Sequence, residues 1–570
     1  MLPPTPRSTG TRPAGPARRA VLGGIAALAG TSAAAASAAP ASAATPTPGA
    51  GAARRSTGRG PAPAASGPVH VRTDPPTTAT TTGGELRGYV RDEVRTFKGI
   101  PYAASTAGAG RFRAPTAPEP WTGVRPALGY GPVCPSPVNP QWSRQEALFL
   151  FEWDNGVYAD EDCLRLNVWS PALDDRRRPV VVWLHGGGFS GGSSQELPSY
   201  DGENLARRGD VVVVSVNHRL NVFGFLNLAE VGGEEYADSA NAGMLDVVAA
   251  LEWVRDNIAA FGGDPANVTV FGQSGGGGKV STLMAMPAAH GLFHKAIVQS
   301  GPYARLGEPA DTAATATALL AELGIGAGEL ERLHEVPVAE LQRAWDAVGG
   351  DAIPTVDGRN VTRHPFDRDA PPAAAGVPLL IGYNLEEFSP SVFEDPALED
   401  LTEQGLREQL TARYGERAGA LLEAARTEWP HAEPVEHLGR IGSLAVFGNT
   451  SVATAELKAA QPAPVYTYLF AWHTPVLGGR PRAYHCAELA FVFDNVDRCA
   501  NQTGGTDEAR VLAADVSEAW IRFARSGDPN HPGLPTWPRF TAEGGHTMVL
   551  DDEPVVRRDP GGAVRRALTD

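Results

Sequence analysis

The chain has 570 residues and a formal net charge of −16, which argues against nucleic acid or an anionic membrane surface as a partner and suits a soluble surface. Its length allows several domains, although large α/β folds often run this long as one. Four cysteines, Cys134, Cys163, Cys486 and Cys499, fit either two disulfides in an exported protein or four buried thiols in a reducing compartment.

The first stretch bears on that choice. Arg18-Arg19 precede an apolar run of small residues from Ile25 to Ala39, and Ala41-Ser42-Ala43 follows. A basic region, an apolar region and a small-residue cleavage site in this order mark a secretory signal, and the paired arginines point to the twin-arginine route. Residues 1–44 are therefore expected to be a signal peptide and the protein to be secreted. The apolar run is too short and too rich in Ala and Gly for a stable membrane anchor. Residues 45–82, rich in Pro, Ala, Gly, Ser and Thr, are expected to be a disordered leader, and 83–570 a single domain.

Within that domain, Glu85 to Val90 and Val94 to Lys98 read as short strands around a charged turn. Val180-Val-Val-Trp-Leu184 and Val211 to Val216 are continuous apolar runs of strand length, as in strands buried on both faces of a mainly parallel sheet. Between Ala242 and Phe261 the spacing changes: Met244, Val248, Leu251, Val254 and Ile258 recur at helical intervals, and Gly262-Gly263 closes the segment. Lys295 to Gln299, Pro378 to Gly382 and Val465 to Phe470 are further strands. Segments 310–348 and 401–427 are helical, and Asp507 to Arg525 is an amphipathic helix ended by Gly527. Strands alternating with helices predict an α/β fold with a large, mostly parallel central sheet.

The chemistry centres on Val268-Thr-Val-Phe-Gly-Gln-Ser274-Gly-Gly-Gly-Gly278. A β-branched strand breaks at Gly272-Gln273-Ser274-Gly275-Gly276 and a helix-compatible segment follows, which fits the G-x-S-x-G nucleophile elbow. Side chains two residues either side of the serine would collide with neighbouring elements in so tight a turn. A serine hydroxyl is a poor nucleophile and needs an adjacent base, which in turn needs an acid to fix its tautomer. In α/β-hydrolases the acid and then the histidine follow the serine along the chain. The adjacent pair Glu386 and Glu387, just past a strand, supplies the acid; His485 in Tyr484-His-Cys-Ala-Glu488 is the base, with His473 and His531 not rejected by spacing alone. Upstream, His185-Gly186-Gly187-Gly188 follows a buried strand and matches an oxyanion loop, whose backbone N–H groups meet developing negative charge.

From Gly83 to Leu550 the chain resembles the type-B carboxylesterase/lipase family, the cholinesterase-like branch of the α/β-hydrolases. The resemblance rests on the elbow and on Phe97-Lys-Gly-Ile-Pro-Tyr-Ala103, Glu161-Asp-Cys-Leu-Arg-Leu-Asn-Val-Trp169 and Val182-Trp-Leu-His-Gly-Gly-Gly-Phe189. It extends through Asn257-Ile-Ala-Ala-Phe-Gly-Gly-Asp-Pro265, Pro354-Thr-Val-Asp-Gly358 and Gly527-Asp-Pro-Asn530. It implies an α/β-hydrolase fold with helical insertions around a gorge, and a serine carboxylesterase acting on small-molecule esters. The implied triad is Ser274 as nucleophile, Glu387 (the second acid of the pair) and His485, with oxyanion donors on Gly187, Gly188 and Gly275. It also implies a Cys134–Cys163 disulfide and an Arg111–Glu161 structural ion pair, and no metal or organic cofactor. Three positions depart from the family pattern: Gln273 replaces the usual Glu, Gly275 a common Ala, and Lys279 a small residue. Losing the carboxylate at 273 counts against a preference for cationic esters. Cys486 and Cys499 match no family disulfide; both sit on the histidine loop and are expected to bond each other and stiffen it. Trp142 to Tyr158 has no family counterpart and is expected either to line a pocket rim or to form a short helix packed on the core. The same fold carries non-catalytic binding proteins, and the same machinery can cleave amides. Here every catalytic part is present.

Overall fold

The structure is a computed structural model that describes residues 71–72, 77–136, 145–152 and 158–569. The expected signal peptide, and the expected leader up to residue 70, lie outside the described residues. In chain order the strands are β1 (Val71–Arg72), β2 (Thr78–Thr81), β3 (Gly84–Arg87), β4 (Tyr89–Arg91), β5 (Val94–Pro101), β6 (Val124–Pro126), β7 (Arg165–Ser170) and β8 (Arg178–Leu184). They continue with β9 (Val212–Val216), β10 (Gly263–Gln273), β11 (Lys295–Gln299), β12 (Leu379–Asn384), β13 (Val465–Phe470), β14 (His546–Leu550) and β15 (Val555–Arg558). One 12-stranded sheet runs β1-β4-β5-β7-β9-β8-β10-β11-β12-β13-β14-β15, and β2, β3 and β6 form a small second sheet. In the large sheet every neighbouring pair from β9 to β14 is parallel, and the remaining pairs are antiparallel.

The apolar runs account for the centre of this sheet. Each residue of β8, β9, β11 and β12 is buried, because helices cover both faces. The Tyr/Phe alternation of β13 marks no wet face either. All six of its residues are buried, with Tyr468 edge-on to Trp520 and Phe470 edge-on to Phe491. The helix Ala242–Asn257 buries Met244, Val248, Leu251 and Val254, and its continuation stops where Gly262 turns left-handed at φ 76°. Arg111 and Glu161 form the expected ion pair, bidentate at 2.5 and 2.6 Å.

Two expectations need correction, and one alternative is decided. The folded part starts before residue 83, because β2 pairs antiparallel with β3 from Thr78↔Arg87 to Thr81↔Gly84, and the Thr82 amide donates to Asn257 Oδ1 at 2.7 Å. The β-branched threonines that suggested low complexity are strand residues. Second, all four cysteines are buried free thiols, so neither expected disulfide is formed. Cys163 and Cys134 are hydrogen-bonded neighbours, and the Leu220 amide also reaches the Cys134 sulfur at 3.3 Å. Cys486 instead donates its thiol to Gln273 Oε1 at 3.3 Å, while Cys499 has Glu152 and Arg498 as charged neighbours. Of the two readings of 142–158, the short helix holds: Gln145–Phe151 is helical with Ala147, Leu150 and Phe151 buried in the core. Phe151 sits edge-on to Tyr484, which makes this helix core packing rather than a free rim. Trp142 and Trp153 lie outside the described residues.

Candidate active site

The parallel block delivers its loops to one edge. β8, β10 and β12 end at Leu184, Gln273 and Asn384, so the glycine loop, the serine and the acidic pair all emerge at the carboxyl ends of the strands. This edge is where open α/β sheets place their sites.

Ser274 sits at the tip with φ 56° and ψ −125°, a conformation that side chains rarely adopt. Its amide donates to Gln299 O at 2.8 Å, which ties the tip to the end of β11. The helix Gly275–Met284 begins at the next residue. The expected crowding is present. A Cβ on Gly272 would lie 2.5 Å from Gly276 backbone atoms, and one on Gly276 would lie 1.9 Å from Leu184 O. Gly275 also has no room: a Cβ there would lie 2.2–2.4 Å from the backbone of Gly188. The departure from Ala at this position thus follows from the close approach of the glycine loop, which puts Gly275 and Gly188 in direct backbone contact.

The structure separates the acid pair and the rival histidines. Glu387 is fully buried and its Oε2 lies 2.6 Å from His485 Nδ1, while the His485 amide donates to Glu387 O at 2.7 Å. Glu387 Oε1 accepts from the Asn384 amide at 2.8 Å, and the Glu387 amide donates to Ser443 Oγ at 2.7 Å. These bonds leave the carboxylate one orientation. Glu386 turns the other way, to Arg440 Nε at 2.6 Å and His473 Nε2 at 3.2 Å. His473, Glu386 and Glu436 come close enough together to hold a cation, but Arg440 and Arg482 already neutralise the carboxylates there. His531 is bonded to Asp515 O at 2.9 Å.

His485 is nearly fully buried, with Phe447 stacked on it at 5.2 Å and 5° and Phe388 tilted against it at 5.1 Å. The Gln273 carboxamide nitrogen lies 3.3 and 3.2 Å from the two ring nitrogens, and its oxygen receives the Cys486 thiol. The residue before the serine therefore touches both the histidine and its neighbour. A second buried carboxyl, Glu488, accepts from Asn384 Nδ2 at 2.7 Å and Gln299 Nε2 at 3.0 Å. Burial and the nearby Glu387 push it up to about 7.

Sequence reasoning missed Ser443, Phe447, Glu488 and Gln299 as parts of this site. Glu488 stood in the quoted histidine motif without a role. Ser443 and Phe447 come from the helical stretch 434–459, whose approach to Glu387 and His485 no local pattern announces.

A profile of the carboxylesterase family matches residues 75–564. A para-nitrobenzyl esterase of Bacillus subtilis (strain 168) is 38% identical over 500 residues, covering 86% of this chain and 98% of that protein. A phenmedipham hydrolase of Pseudarthrobacter oxydans is 34% identical over 490 residues, covering 83% and 95%. Among solved structures, a carboxylesterase of Geobacillus stearothermophilus superposes with a TM-score of 0.74 at 40% identity, covering 86% of this chain and all of that one.

Proposed function

Since this chain belongs to the carboxylesterase family and is a carboxylic ester hydrolase, we propose that it cleaves small esters through an acyl-enzyme on Ser274. In this reading His485 is the base and Glu387 its orienting acid. The backbone N–H groups of Gly187, Gly188 and Gly275 receive the oxyanion. The observation that carries the reading is the 2.6 Å contact of Glu387 Oε2 with His485 Nδ1, made at the strand edge that also bears Ser274.

Glu387 accepts the proton on Nδ1 and so leaves Nε2 as the acceptor. Ser274 Oγ bonds to the ester carbonyl carbon and its proton passes to His485 Nε2. The carbonyl oxygen becomes the oxyanion, held by the three amides. The C–O bond to the alcohol then breaks, and His485 returns the proton to the leaving oxygen. Water attacks the acyl carbon, gives a proton to His485, and the acid departs as Ser274 recovers its hydrogen. The buried surroundings of His485 favour this relay, since Phe447 and Phe388 keep water from its faces. Hydrolysis of a short-chain p-nitrophenyl ester without cleavage of casein tests the reaction class. Casein cleavage would favour an amide hydrolase, and no turnover of either would favour a binding protein.

Export belongs to the same proposal, on the strength of Arg18-Arg19 and the apolar run that follows. Changing both arginines to lysine is expected to keep the protein inside a host with twin-arginine export. Unchanged secretion would remove that route.

A further inference from the structure

We infer that Lys279 is a positioning residue for the oxyanion loop: its ammonium holds the carbonyls of His185 and Gly188 and so fixes the glycine amides between them. The inference rests on the serine esterase reading above and adds to it a residue from the helix that follows the nucleophile.

The loop has little to hold it otherwise. Gly186, Gly187 and Gly188 lack side chains, and Gly187 and Gly188 adopt φ of 82° and 62°. Such a run loses more conformational freedom on ordering than any other. A trans peptide is planar, with its C=O and N–H on opposite sides, so fixing a carbonyl aims the amide that follows it. The two inner carbonyls are held within the loop. Gly186 O receives His185 Nδ1 at 2.9 Å, and Gly187 O receives the Gly191 amide at 3.0 Å. Those bonds aim the amides of Gly187 and Gly188. The two outer carbonyls have a different partner: Lys279 Nζ donates to His185 O at 2.9 Å and to Gly188 O at 2.9 Å. One side chain thus clamps both ends of the run.

The surroundings of Lys279 also point to a purpose beyond filling space. The residue is fully buried, and its nitrogen sits 5.6 Å from the centre of the Phe189 ring. Its nitrogen is partnered by the two carbonyls and the ring of Phe189. A buried ammonium in such a place is expensive, and a methionine would fill the volume without that cost. Burial lowers its pKa to about 7, and Glu196, itself raised to about 8 by burial, favours the charged form. His185 and His218, stacked at 5.1 Å behind the loop, are held neutral by burial and by Lys279. In its charged form Lys279 sets a positive charge beside the glycine run, 2.9 Å from two of its carbonyls. On the serine side Gln273 is neutral where the family usually has Glu. An oxyanion forming on the other face of the loop meets the Gly187 and Gly188 amides, aimed by the inner bonds in a run whose two ends Lys279 clamps.

The test compares wild type, Lys279→Met and Ser274→Ala by steady-state kinetics with a p-nitrophenyl ester, by thermal unfolding, and by inhibition with a trifluoromethyl ketone. The ketone adds the nucleophile and presents an oxyanion. Lys279→Met is expected to unfold at the same temperature or higher and to keep its KM. Its kcat should fall by about 10²-fold, as when one oxyanion donor is lost. Ketone affinity should fall by the same factor as kcat/KM, because both report the tetrahedral state. A folded Lys279→Met with wild-type kcat and ketone affinity would overturn the inference while leaving an inactive Ser274→Ala, and with it the esterase reading, intact. An active Ser274→Ala would overturn both. If Lys279→Met does not fold, Lys279→Gln, which keeps an N–H donor without the charge, is read by the same criteria. Failure of both to fold would assign Lys279 to stability alone and overturn the inference.

Discussion

Exchanging His485 for alanine is expected to lower kcat for a p-nitrophenyl ester by at least about 10³-fold, since a serine without its base is close to an ordinary hydroxyl. The loss should appear in kcat rather than KM, because the imidazole moves a proton and binds little of the substrate. Glu387→Gln should approach the same loss by a different route. The carboxamide can offer its N–H to Nδ1 at the 2.6 Å contact, which turns the ring to the tautomer that cannot take the serine proton. His473→Ala is the control, because His473 is bonded to Glu386 and not to Glu387. It should keep most of the turnover. A near-normal rate in His485→Ala together with an inactive His473→Ala would move the base to His473.

Gly276→Ala is expected to destabilise the fold by about 4 kcal/mol or more, seen as a lower urea midpoint with an unchanged slope. The sign is the interesting part. In the interior of a helix Gly→Ala normally stabilises by about 1 kcal/mol, and Gly276 lies in the helix Gly275–Met284. Here the new methyl would sit 1.9 Å from Leu184 O. That carbonyl cannot retreat, because Leu184 ends a strand registered between β9 and β10. The clash is with backbone on both sides and outweighs the propensity gain. A midpoint equal to or above that of wild type would mean that the elbow and β8 are not packed as described.

How much of this was legible in the chain depends on how local the cause is. The central strands were plain in the runs Val180 to Leu184 and Val211 to Val216, because burial on both faces demands unbroken apolar runs. The elbow and the glycine loop were legible for the same reason: each is a short backbone geometry that constrains its own residues. The acid was only half legible. Glu386 and Glu387 are neighbours with opposite fates, decided by Ser443, Arg440 and His473 arriving from elsewhere in the chain. The cysteines were misread because spacing cannot show where a thiol points, and Cys486 points at Gln273. The threonine-rich start of the fold was misread because its composition matches a leader, while its pairing with β3 shows only in space. The three departures at 273, 275 and 279, visible as oddities in the sequence, become connected in the structure. Gln273 rests on His485, Gly275 makes room for Gly188, and Lys279 holds the carbonyl of that same glycine.

The central claim is that Ser274 becomes acylated, and mass spectrometry after exposure to a p-nitrophenyl phosphonate tests it most directly. The account predicts one phosphonyl group per chain, carried on the peptide that contains Ser274, with one p-nitrophenol released for each group bound. It also predicts no labelling and no ester turnover in Ser274→Ala. Labelling of Ser274→Ala at the wild-type rate, with ester turnover retained, would contradict it.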